Sequence, residues 1–124
     1  MHRTWFLLVT ALGETAAGLL LLGRPALVMD LLFGVTAAGP DAIVVARMLG
    51  AALVGLGVAC WLARRGPDSP AQRGVLSGAL VYNVTVAALL AYAGLALDMT
   101  GLVLWPAVAL HAILAIWCIG CFVR

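Results

Sequence analysis

The chain has 124 residues, 65% of them hydrophobic and 10% charged, with a formal net charge of +2 and a mean hydropathy of +1.17. That composition lies far outside the range of soluble domains and leaves too little polar sequence to build one beside a membrane part, so residues 1–124 read as one membrane domain. No basic patch with interleaved aromatics points to nucleic acid, and no glycine-rich phosphate loop follows a strand pattern.

The first apolar stretch, about residues 4–23, opens with Trp5 and Phe6 and is stopped by Gly23, Arg24 and Pro25. Placed behind His2 and Arg3 it has the layout of a signal peptide, but Glu14 interrupts the apolar run and a first transmembrane helix is expected instead. The face around Glu14 carries Leu7, Thr10, Ala11, Ala17, Gly18 and Leu21, mostly small residues suited to helix contact, so Glu14 is expected to turn inward. PALVMDLLF follows, with Pro25 at a first helical position and Gly34 just past its end. It is too short to span and is expected at the membrane interface, either as an amphipathic connector or as a lid over an opening between helices, with Asp30 and Phe33 as the lid residues.

The second span, about residues 43–63, matches a hydrocarbon core of about 30 Å at about 1.5 Å per residue. It contains Arg47, and the same face reads Gly50, Ala51, Val54, Gly55 and Val58. A lipid-facing arginine costs about 2.5 kcal/mol or more, so Arg47 is expected to point into the bundle toward a partner. Residues 64–74, RRGPDSPAQRG, form the most polar stretch and read as a loop. A third span of about residues 75–97 carries Asn83 between Ala79 and Ala87; after a short turn, a fourth of about 102–123 carries Trp105 and Pro106 in its first turn and His111 deeper in. The expected fold is all-α: an integral membrane four-helix bundle with a short interfacial helix between helices 1 and 2, and with spans three and four as antiparallel neighbours.

Arg3, Arg64, Arg65, Arg73 and Arg124 fall on one side of these spans, and Arg24 with Asp30, Asp41 and Asp98 on the other. The positive-inside rule then puts both termini in the cytoplasm, with the chain a multi-pass protein of a bacterial-type inner (plasma) membrane. Cys60, Cys118 and Cys121 lie within apolar helices near the arginine-rich end and read as small packing residues.

Each span contributes one strongly polar side chain: Glu14, Arg47, Asn83 and His111. Counted from the span ends, Glu14, Asn83 and His111 lie about 12 to 13 Å deep, near the midplane, and Arg47 starts about 6 Å below its edge with a side chain long enough to reach them. Two readings stay open. In one, Glu14 and Arg47 pair while Asn83 and His111 complete a structural polar core. In the other, the four residues form a ligand-binding or proton-relay site, the default for ionisable residues at that depth. No cofactor is assigned: a bis-histidine haem needs a second histidine at depth, a metal site meets the same objection, and no nucleophile and base pair has recognisable catalytic spacing.

LGETAAG around Glu14 resembles the first-helix element of the small multidrug transporters, and that resemblance implies a coupling carboxylate at Glu14 in a dimeric proton-coupled exporter. PALVMDLLFG, ARMLGAALVGLGVACWLARR and WPAVALHAILAIW together resemble small bacterial four-span membrane proteins of the DoxX-like kind. This resemblance covers most of the chain and implies a compact helical bundle that serves as an accessory partner of a larger membrane or redox system. Three functions are therefore expected to compete: an accessory or binding protein whose polar site takes a lipid, quinone or other small amphiphile; an exporter; and a structural subunit of a larger membrane complex or homo-oligomer.

Overall fold

The computed structural model describes residues 2–123 and contains five α-helices and, among those residues, no strand. Arg124, counted above among the arginines of one side, lies outside the described residues. Helices α1 (His2–Gly23), α3 (Pro40–Ala63), α4 (Pro70–Ala96) and α5 (Leu104–Val123) are each long and apolar enough to cross a membrane, and α2 (Pro25–Phe33) is the short helix between the first two. The protein is a small integral membrane protein with an all-α bundle.

The helix starts follow local chemistry. Pro25, Pro40 and Pro70 occupy first-turn positions, where a missing N–H costs nothing. At α4 the Ser69 hydroxyl accepts from the Gln72 N–H at 3.2 Å, so the helix begins at Pro70, inside the stretch expected to be loop. Gly34 closes α2 in the left-handed conformation, its N–H donating to the Asp30 carbonyl.

The long helices pack as two pairs, α1 with α3 and α4 with α5. The buried positions of α3, namely Ala46, Gly50, Leu53, Gly57 and Cys60, and those of α1, including Leu7, Ala11, Glu14, Gly18 and Leu21, recur at alternating steps of four and three. That is the spacing of a coiled-coil seam. Glycine lets these two backbones touch: a Cβ on Gly18 would sit 2.6 Å from the Gly50 carbonyl oxygen, and one on Gly50 2.7 Å from that of Gly18. Further along, a Cβ on Gly57 would run into the Thr15 hydroxyl. The pairs meet through side chains. Toward the arginine-rich end Phe6, Leu7, Cys60, Leu76, Leu114, Cys118 and Cys121 form one apolar cluster, and toward the opposite end Leu21, Ala46 and Leu53 form a second with Val28, Met29 and Tyr82 against it.

Helix α2 is pinned at that opposite end. The Val103 N–H donates to the Leu31 carbonyl at 2.9 Å, and Gly101 sits directly against the backbone of Leu32.

Candidate functional site

The seam positions carry the polar side chains into the bundle. Glu14 of α1 is buried and so is Asn83 of α4, while His111 of α5 and Tyr82 of α4 are half-buried. The Asn83 amide Nδ2 donates to the Ala79 carbonyl at 2.8 Å, which leaves its Oδ1 to accept from the His111 Nδ1–H at 2.9 Å. In the neutral ring this tautomer leaves Nε2 as an acceptor. The Tyr82 ring meets His111 edge-on, with centroids 5.6 Å apart, and the Tyr82 hydroxyl faces the Glu14 carboxyl as a hydrogen-bond donor. A row of carboxyl, phenol, imidazole and amide thus crosses from one helix pair to the other. One turn from Glu14, Thr10 is buried with no protein partner for its hydroxyl.

Three of the four residues expected to meet near the midplane therefore share this row, and Arg47 does not. It is exposed on the outer face of α3, and no hydrogen bond or ion pair joins it to Glu14 among the described residues. The helix face expected around it was displaced by one residue. The seam runs through Ala46, Gly50, Leu53 and Gly57, so Arg47 stands about 100° round from it, on the side of exposed Ala51 and Val58. A helical Cβ tilts toward the helix N-terminus, which lies about 10 Å from Arg47, within reach of a side chain of that length. Tyr82 takes the place next to Glu14 that the arginine was expected to fill. The signal for it was its position, three residues after Ala79 on the buried side of α4, but a tyrosine in an apolar span reads as an interfacial anchor or packing residue as readily as a polar partner.

Of the residues expected to form a lid, Asp30 is exposed and Phe33 half-buried, on a helix tied to the start of α5. The three cysteines are buried free thiols in the apolar cluster, with the Cys118 Sγ donating to the Leu76 carbonyl at 3.3 Å.

A second polar assembly lies at the arginine-rich end. Asp68, in the α3–α4 connection, accepts from Arg73 through both carboxylate oxygens at 3.0 Å and from the Arg3 Nη1 at 3.0 Å. Arg3 also donates from Nε to the Cys121 carbonyl at 2.8 Å, and Gln72 donates to the carbonyls of Ala63 and Gly66. Arg64 lies over the Trp61 ring, 3.3 Å from its centroid, and bonds the Trp61 carbonyl. These contacts join α1, the α3–α4 connection, α4 and α5 at one end of the bundle.

Comparison of the chain with known protein families, characterised proteins and solved structures finds no match.

Proposed function

We propose that the protein is a small accessory or binding protein of the membrane that holds the polar head of a lipid, quinone or other small amphiphile at the row formed by Glu14, Tyr82, His111 and Asn83. One observation carries this reading: the row is buried at its two ends, at Glu14 and Asn83, and half-exposed in its middle, at Tyr82 and His111, at mid-height of an otherwise apolar surface. Donors and acceptors at that height meet molecules dissolved in the bilayer, not in water. His111 offers Nε2, and Tyr82 the oxygen of its hydroxyl, as acceptors for a hydroxyl head, with Glu14 behind Tyr82. Stability alone is a weak reason to keep such a row, since interhelical hydrogen bonds within membranes average about 0.6 kcal/mol. The DoxX-like layout of the chain supports the accessory role. The arginine distribution supports an orientation with the Arg3, Arg64, Arg65 and Arg73 end in the cytoplasm of an inner (plasma) membrane.

Native mass spectrometry of the detergent-extracted protein tests the reading. The wild type should retain a small molecule, and His111→Ala and Glu14→Gln should lose it while keeping their helical content. A wild type that carries no adduct in gentle detergent, or variants that retain the same adduct, would exclude it. Tags at the two termini, exposed to a membrane-impermeant reagent, test the orientation: labelling of either from outside reverses it.

A further inference from the structure

The arginine-rich end holds a cavity of about 430 Å³ that the midplane row does not use. Its walls come from the start of α1 with His2, Arg3 and Thr4, the α3–α4 connection with Gly66 and Asp68, the start of α4 with Gln72, and the end of α5 with Cys121. The hydrogen bonds around it decide its charge. Two guanidiniums, those of Arg3 and Arg73, share the single carboxylate of Asp68, so the group carries a net positive charge. The hydrogen bonds from Arg73 and Arg3 hold the Asp68 carboxyl well below the usual carboxylate range, so this balance persists throughout the neutral range. Both amide hydrogens of Gln72 are committed to the Ala63 and Gly66 carbonyls, leaving that side chain a structural tie. Arg3 is held from two sides, by Cys121 at Nε and by Asp68 at Nη1, and among the described residues no hydrogen bond engages Nη2. A guanidinium fixed in this way loses little freedom on binding an oxyanion, and its planar fork suits one.

We propose that this cavity is a binding site for a phosphate group, gripped by the Arg3 Nη2 and the Thr4 hydroxyl and balanced by the surplus charge of the Arg3, Asp68 and Arg73 group. The site lies where an apolar span ends, at the height of lipid headgroups, and exposed Arg65 extends the positive field on the same side. A phosphate there can come from an anionic lipid headgroup or from a soluble phosphate compound. Asp68 lines the cavity, and its single negative charge is exceeded by those of the two guanidiniums bound to it.

Two probes separate the sources. The full-length protein is placed in nanodiscs of phosphatidylcholine with and without phosphatidylglycerol, and the lipids it retains are counted by native mass spectrometry. In parallel, its thermal unfolding in detergent is followed with inorganic phosphate against chloride at constant ionic strength. Selective retention of phosphatidylglycerol assigns a lipid headgroup, a rise in melting temperature with inorganic phosphate assigns a soluble ligand, and neither response overturns the proposal. Arg3→Gln should weaken the responding probe by about ten-fold, the loss expected for one charge-assisted hydrogen bond. Arg65→Gln, which removes an equal charge outside the cavity, should leave it within about two-fold of wild type. Equal losses from the two variants would show a diffuse surface field and overturn the site. If Arg3→Gln fails to fold, Thr4→Val decides: it leaves every arginine contact intact, and affinity about five-fold lower supports the site, whereas unchanged affinity excludes it.

Discussion

The two helix contacts at the centre of the molecule are made differently. Between α1 and α3, glycine against glycine brings backbone to backbone, so the interface tolerates no added atom. Between the two pairs, the polar contact is Tyr82 of α4 against Glu14 of α1, flanked by apolar clusters and continued within the α4/α5 pair by His111 and Asn83, and each of these groups has a chemistry that backbone contact lacks. In lipid there is no hydrophobic force to drive helices together, so close packing supplies the cohesion. The α1/α3 pair is thus the rigid half of the molecule, and the polar row is the part free to be specialised.

The largest effect should come from breaking the rigid half. Gly50→Val puts a branched side chain where the Gly18 carbonyl stands, and should cost about 3 kcal/mol or prevent folding, measured as loss of the folded fraction on unfolding in detergent. Gly13→Ala, on the same helix as Gly18 but with open space around its Cβ, should be tolerated. If both variants behave alike, backbone contact is not what holds α1 to α3.

A smaller loss is expected from the polar row. Asn83→Leu leaves the His111 Nδ1–H without its acceptor and should cost about 1 to 3 kcal/mol. Combining Asn83→Leu with His111→Leu should recover part of it, and a coupling near zero in that cycle would show that the bond contributes nothing.

Glu14 and Arg47 sharpen the comparison, because one belongs to the row and the other to the outer face. Glu14→Gln and Arg47→Gln should add within about 0.5 kcal/mol, as sites without shared partners do. A double variant that recovers stability would instead mean that the two charges pair. Arg47→Leu alone should leave stability unchanged or raise it by about 1 kcal/mol, since it removes a charge from an exposed position near one edge of a span.

The smallest effect should be that of Asp68→Asn at the arginine-rich end, where the carboxylate is exposed and its pairs are screened by salt. The sign follows from its lowered folded pKa. The stabilisation is fully present above the unfolded value of about 3.9 and fades as pH falls toward the folded one. Wild type should therefore melt above the variant at neutral pH, and the two should converge in strong acid. A gap that widens as pH falls below about 4 would contradict the pairing.

Helix number, the short helix at Pro25–Phe33 and the turn after α4 were legible because each depends on local chemistry: long apolar runs, proline in a first turn, glycine past an end. Glu14, Asn83 and His111 were legible as inward-facing because small residues flank them at helical spacing. Arg47 was not. On α3 the series 46, 50, 53, 57 and the series 47, 51, 54, 58 are equally apolar apart from the arginine itself, since lipid and protein interior favour the same residues. Hydropathy therefore cannot show which series faces the neighbouring helix. Only the mutual fit of Gly18 and Gly50 decides that rotation, and it turns Arg47 outward while Tyr82 approaches Glu14 from another helix. The group around Asp68 was hidden for a related reason. Arg3, Asp68 and the Cys121 carbonyl are far apart in the chain, and nothing local to any of them specifies the other two. Composition and periodicity determined that this chain forms four membrane-crossing helices with polar residues at depth; which of those residues touch was decided by backbone contact between glycines, a property of two helices together and of neither alone.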